Sequence, residues 1–165
     1  MPDLQTPENL PRRAERLVVE GVRRWMAGYA TNDASCWEMA WDLYATELGK
    51  ERARRPVSEL SCYARALKTH GTRNLCLFPY DCPKLCQDEC LVMAFVAAAQ
   101  QQNTEAQNAI AEALFHPDGR KDALFSANEF GAALSECGLM LATVDPDTLS
   151  LEICPLKKLG LPVRH

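Results

Sequence analysis

The chain has 165 residues, of which 47% are apolar and 24% are charged. This composition is typical of a globular protein with one sizeable core, and it excludes an intrinsically disordered chain. The net charge of −4 is too small to indicate a nucleic-acid or membrane partner by itself.

The first predicted helix follows a flexible N-terminal arm of residues 1–10. Pro11 suits a first helical position, and apolar residues then recur at intervals of three and four to about Tyr29. Arginines fall on the other faces of this helix, and a second group of arginines follows at positions 52–55. We interpret both groups as solvated helix faces, with a phosphate-binding or partner-binding surface as the alternative.

Two further helices are expected before residue 72. Ser35 with Glu38 has the spacing of a capping box and predicts the start of the second helix. Three large aromatic residues on one face of this helix predict core packing or a dimer interface. These residues are Trp37, Trp41 and Tyr44. The third helix is expected to begin at Pro56 or Ser58.

The fourth and fifth helices follow a connector in which Pro79 disfavours helix. The fourth is expected to begin near Pro83 or Asp88 and to reach about residue 101. Thr104 with Gln107 forms the pattern of a second capping box, which predicts a fifth helix up to about residue 115.

The last third of the chain predicts one more helix and a change of period. A sixth helix is expected within residues 122–137, and the alternating apolar residues of 139–154 predict a short β-hairpin. The sequence therefore predicts a mainly α fold. It would be a single orthogonal or bundle-like domain over residues 11–165, with about six helices and a small C-terminal hairpin.

The eight cysteines are the most informative feature of the composition. No apolar run approaches the roughly 20 residues that a membrane helix needs, and the N-terminus does not resemble a signal peptide. We therefore expect a cytoplasmic protein with no membrane partner and mostly reduced cysteines. In that compartment cysteines are core thiols, metal ligands or redox thiols before they are structural disulfides.

A cysteine-dense segment at 76–90 is the expected site. Four thiols with a nearby imidazole match the ligand chemistry of tetrahedral zinc, and these candidate metal ligands are Cys76, Cys82, Cys86, Cys90 and His70. The spacing lacks the C-x2-C elements of zinc knuckles and iron–sulfur motifs. It would instead place residues 82, 86 and 90 on one helix face.

Two other roles for these cysteines stay open at this point. If a helix begins at Pro83, Cys82 lies at its N-terminus, where the helix dipole lowers a thiol pKa and favours redox chemistry. Alternatively, the cysteines pack in the core like small apolar residues. Asp81, Asp88 and Glu89 oppose thiolate formation by their charge.

The sequence thus predicts a small cytoplasmic regulatory or interaction module, more readily non-enzymatic than catalytic, that binds zinc through the cysteine-dense segment at 76–90. Its expected partner is another protein or a second copy of the chain. The alternatives are a helical scaffold or oligomerisation protein with packed cysteines, a thiol-redox enzyme or sensor, and a DNA-associated regulator that uses the arginine-rich helices.

Overall fold

The computed structural model describes residues 13–79, 82 and 84–142. Within this part of the chain the protein is helical and contains no β-strand. The helices are α1 (Arg13–Thr31), α2 (Ser35–Leu48), α3 (Lys50–His70), α4 (Gln87–Gln100), α5 (Thr104–Leu114) and α6 (Arg120–Glu136), with a short 3₁₀ turn at Pro117–Gly119. The predicted mainly helical fold with about six helices is confirmed.

Two predicted segments cannot be compared with this structure. The N-terminal arm of residues 1–10 lies outside the described residues, and so does most of the hairpin expected at about 139–154. Its first four residues, 139–142, are described and are not assigned to a strand. None of the helices in the described ranges is long and apolar enough to cross a membrane.

The core is built around α3, which packs against α1, α2 and α6, while α4 packs against α1, α5 and α6. A chain of aromatic rings links these elements through the centre of the protein. The Tyr63 ring lies 5.7 Å from Phe130 and 6.2 Å from Phe95, and Phe95 lies 5.5 Å from Phe115. Such tilted ring pairs contribute stability beyond the area that they bury.

The predicted aromatic face of α2 packs against α1. Trp37 stacks on Trp25 with ring centroids 5.7 Å apart, and its indole N–H donates to the Trp25 carbonyl oxygen at 3.1 Å. Gly28 permits this approach, because a Cβ at that position would overlap the Trp37 indole ring. The hydroxyl of the fully buried Tyr44 donates to the Leu17 carbonyl oxygen at 2.7 Å. Packing within the protein therefore explains Trp37 and Tyr44 on this face.

The starts of α2 and α5 differ from the predicted capping boxes. Ala34 is the N-cap of α2, and the backbone N–H of Ser35 donates to Asp33 Oδ1 at 2.9 Å. Asn103 is the N-cap of α5, and its side-chain oxygen accepts from the Ala106 N–H at 3.1 Å. In both helices the acceptor, Asp33 or Asn103, lies one or two residues before the predicted cap. Short polar side chains of this kind are preferred at helix starts.

The predicted start of α3 at Pro56 or Ser58 is wrong, because this helix begins at Lys50 and carries Pro56 in its interior. A proline there cannot donate to the carbonyl four residues earlier, which belongs to Arg52. The Cys137 thiol donates to that Arg52 oxygen at 3.6 Å, a weak sulfur hydrogen bond that replaces the missing backbone donor. The helix therefore tolerates Pro56 in its interior because Cys137, the C-cap of α6, contacts the carbonyl that the proline leaves free.

Most arginines of the two basic groups pair with carboxylates. Arg13 and Arg16 lie 3.0 Å and 3.1 Å from Glu47, and Arg24 lies 3.2 Å from Glu20. On α3, Arg55 pairs with Glu136 of α6. Carboxylates this close cancel much of the local positive charge, which does not favour a phosphate-binding surface.

Candidate functional site

The connector, residues 71–86, joins α3 to α4 and contains three of the predicted ligands. Because α4 begins at Gln87, the predicted start near Asp88 is confirmed and the alternative start near Pro83 is wrong. Cys82 and Cys86 therefore precede the helix and do not share a helical face with Cys90. Cys82 is also not at the helix N-terminus, which removes the expected dipole effect on its thiol.

Cys86 is the N-cap of α4 and forms a capping box with Glu89. The Cys86 side chain accepts from the Glu89 backbone N–H, and the Glu89 carboxylate accepts from the Cys86 backbone N–H at 3.2 Å. Cysteine stands here where serine or threonine is usual. Sequence reasoning missed this cap because cysteine is not among the residues expected at a helix start.

Asp88 holds the first half of the connector. Its carboxylate is fully buried and accepts two hydrogen bonds from the Arg73 guanidinium, at 2.6 Å and 2.7 Å. It also accepts from the Cys76 backbone N–H at 2.7 Å. A bidentate ion pair with an added backbone donor compensates the cost of burying the carboxylate, which would otherwise be several kcal/mol, about the desolvation cost of one ion.

Glu89 holds the second half of the connector through α1. Its carboxylate lies 2.7 Å and 2.9 Å from the Nε and Nη2 atoms of Arg23 and accepts from the Phe78 N–H at 2.9 Å. Both charged side chains are only 1% exposed. The interpretation of Arg23 as part of a solvated helix face is therefore wrong.

Arg23 also binds the connector backbone just before α4. Its guanidinium donates to the carbonyl oxygens of Cys82 and Lys84 at 2.7 Å and 2.6 Å. One cation from α1 thus satisfies a buried carboxylate and two loop carbonyls at once. Loops that lack regular secondary structure need such side-chain partners for their backbone groups.

Two of the predicted ligands, Cys76 and Cys86, lie together within the connector and form a small buried cluster. They are 1% and 4% exposed, Phe78 packs against both, and the Cys86 thiol donates to the Cys76 carbonyl oxygen at 2.6 Å. Burial, the nearby Glu89 carboxylate and the neighbouring Cys76 thiol all raise the pKa of Cys86. Cys86 is therefore a protonated thiol at neutral pH.

The other predicted ligands have separate surroundings. His70 ends α3, packs against Gly119 and lies 3.5 Å from an Asp122 carboxylate oxygen. Cys82 and Cys90 are partly exposed thiols. In the described part of the chain, no group of three or more His, Cys, Asp or Glu side chains is arranged to hold a metal ion. Zinc binding by the five predicted residues stays a prediction.

A pocket of about 390 Å³ lies between the C-terminal half of α1 and the connector. Its wall is mostly apolar and includes Met26, Ala27, Leu75, Leu77 and Phe78. Arg23 is the one charged residue among the described lining residues, and its charge is neutralised by Glu89. Asn74 and Pro79 are exposed and stand at the rim.

A second groove, of about 330 Å³, lies between α3 and α6 and brings Cys62, His70 and Asp122 to one surface. Cys62 and His70 are eight residues apart on one helix, which separates them by about 12 Å along its axis. The groove therefore does not pair a thiol with an imidazole at hydrogen-bonding distance, as a cysteine nucleophile requires.

No protein-family model, no curated protein and no solved structure matches this chain. The function has to be inferred from the site itself.

Proposed function

We propose that the protein is a small regulatory or interaction module whose binding site is the pocket between α1 and the connector. The observation that supports this proposal is an apolar pocket of about 390 Å³ whose loop wall is fixed by two buried carboxylates. Ligand-binding pockets have such volumes and such mainly apolar walls. A loop that is held on rigid helices is also a common place for binding residues.

The proposed occupant is an uncharged apolar side chain from a partner protein. The pocket wall is mostly apolar and the exposed Asn74 adds a polar amide to it, which resembles the combination of apolar centre and polar edge in protein interfaces. Because Glu89 already neutralises Arg23, the described residues of the wall offer no free charge that would favour an anionic group. An inserted aromatic or aliphatic anchor fits this chemistry best.

A photo-crosslinking amino acid at Met26, used in the native cell, tests this proposal. We expect one partner protein to be crosslinked from position 26 and not from position 112, which is exposed on α5. Ala27→Trp, which fills the pocket, should abolish the crosslink while the helical circular dichroism and the melting temperature stay near those of the parent. Equal crosslinking from both positions, or crosslinking that survives Ala27→Trp, would contradict the proposal.

Zinc binding through the connector is a second proposal for the same module. It is supported by the adjacency of the Cys76 and Cys86 thiols, two of the five predicted ligands. In the described residues no third His, Cys, Asp or Glu joins this pair in a metal-binding arrangement, so the connector would have to rearrange to complete a tetrahedral site. Metal analysis of protein purified without chelator should find stoichiometric zinc that is lost in Cys86→Ser. Substoichiometric metal in the parent protein would contradict this proposal.

A further inference from the structure

Cys76 and Cys86 form a buried pair within the connector, ten residues apart in sequence, and the Cys86 thiol donates to the Cys76 carbonyl oxygen. Neither residue is inside a helix. Cys86 is an N-cap with extended backbone angles of φ −95° and ψ 172°, and Cys76 lies in the non-helical stretch before it. Side chains at such positions can turn toward each other without distorting a helix, as a disulfide requires.

We propose that Cys76 and Cys86 are a redox modification site that closes to a reversible intramolecular disulfide. A low-molecular-weight disulfide such as oxidised glutathione is the oxidant. One cysteine thiolate attacks it and releases one thiol, which leaves a mixed disulfide; the second cysteine thiolate then attacks the protein sulfur and releases the other thiol. The two cysteines lose two electrons and two protons in total, and the oxidant's sulfur–sulfur bond is reduced to two thiols.

The surroundings of the pair determine how fast it reacts. Cys76 and Cys86 are both buried, Phe78 packs against the pair, and the Glu89 carboxylate accepts from the Cys86 backbone N–H. Because both cysteines are buried, an oxidant in solution does not reach either sulfur while the connector is closed. Oxidation must therefore wait for a local opening of the connector. The reaction should be slow in the native protein and faster at low, non-unfolding concentrations of urea.

The connector joins the pair to the wall of the pocket. Leu75 and Leu77 flank Cys76 in sequence and line the pocket, and Phe78 contacts both the pair and the pocket. A disulfide would therefore restrain the segment that forms one side of the pocket. The bond itself can be measured without reference to the proposed binding function, so the two proposals can fail separately.

Other cysteines provide matched controls. Cys82 and Cys90 flank Cys86 in sequence, and both are partly exposed. Trypsin cleaves after Arg73, Lys84 and Arg120, so Cys76 and Cys86 fall in two different peptides, 74–84 and 85–120. A disulfide between these peptides is read directly by mass spectrometry, and serine variants show which of their cysteines form it.

The test incubates the whole protein with oxidised glutathione, blocks free thiols by alkylation and digests it. We expect the 74–84 and 85–120 peptides to be linked in the parent protein and equally in Cys82→Ser and Cys90→Ser. The link should be lost in Cys76→Ser and in Cys86→Ser. Oxidation of the parent should also raise its melting temperature by several degrees, reversibly with dithiothreitol, because the bond restrains the unfolded chain. A link that persists in Cys76→Ser, or formation of glutathione adducts alone, would overturn the proposal. If a serine variant fails to fold, the fragment spectra of the linked parent peptides identify which two cysteines form the bond.

Discussion

Replacement of Glu89 by alanine probes how the connector is held. This carboxylate is 1% exposed and accepts hydrogen bonds from Arg23, from the Phe78 N–H and from the Cys86 N–H. Glu89→Ala leaves the Arg23 guanidinium buried without its counter-ion and leaves two backbone donors without their acceptor. We expect a large loss of stability, because a buried charge that loses its partner is strongly unfavourable.

The magnitude follows from the contacts. Removing one partner of a buried ion pair costs about 3–5 kcal/mol, and each orphaned buried N–H adds up to about 1–3 kcal/mol where water does not replace the acceptor. These contributions overlap, so about 4 kcal/mol is expected in total. A typical domain has a free energy of unfolding of only about 5–15 kcal/mol. With a urea m value of about 2 kcal/mol per M, the unfolding midpoint should fall by about 2 M.

Urea unfolding, followed by circular dichroism, is the assay. Glu89→Gln keeps the side-chain shape and serves as a milder variant that still removes the charge. Glu112→Ala removes an exposed glutamate from α5 and should change the free energy of unfolding by less than about 0.5 kcal/mol. The cost of Glu89→Ala should also be nearly independent of salt, because water and ions do not reach a buried pair.

A cost below about 1 kcal/mol for Glu89→Ala would refute this account, since that is the value of an exposed ion pair. A double variant gives a further check. Arg23→Met with Glu89→Leu removes both charges and should be less destabilised than the sum of the two single variants. It should still be less stable than the parent protein, because the carbonyls of Cys82 and Lys84 lose the donor that Arg23 supplied.

Two further predictions concern the helical core. Gly28→Ala should lower the free energy of unfolding by about 1–3 kcal/mol, because the new methyl group overlaps the Trp37 ring; a loss below about 0.5 kcal/mol in urea unfolding would argue against this contact. Burial raises the pKa of both Tyr44 and Tyr63, whereas an unfolded tyrosine ionises near pH 10. Above about pH 10 the unfolded state therefore binds fewer protons than the native state, and stability should fall as the pH rises. Absorbance at about 295 nm should show these two phenols ionising only as the protein unfolds, and Tyr44→Phe with Tyr63→Phe should remove that late phase.

The first helix could be predicted from the sequence because it has an apolar stripe of its own. The regular spacing of apolar residues predicted α1 to within about two residues at its ends, and the predicted start of α2 at Ser35 agrees with the structure. The start of α3 could not be predicted, because a local rule places a proline at a helix start. The contact that tolerates Pro56 inside the helix comes from Cys137, which is far away in the sequence.

The connector shows a second limit of sequence reasoning. Its key ion pair joins Arg23 and Glu89, which are 66 residues apart, and no local pattern connects them. Asp88 and Glu89 could be recognised only as charges unfavourable to a thiolate, and of the two it is Glu89 that contributes, after burial, to the raised pKa of Cys86. That they are buried acceptors for the loop backbone depends on the packing of α1 against α4.

Asp88 and Glu89 also couple the connector to α4 in its local unfolding. They are consecutive residues of the first turn of α4, and between them they accept the backbone N–H groups of Cys76 and Phe78. When that turn frays, both connector hydrogen bonds lose their acceptors together. The amide protons of Cys76 and Phe78 should therefore exchange with solvent at the same opening free energy as those of the first turn of α4. The part of the connector around Cys76 and Phe78 has no regular secondary structure, but its amides would then be protected from exchange like those of the first turn of α4. The two would open as one cooperative unit.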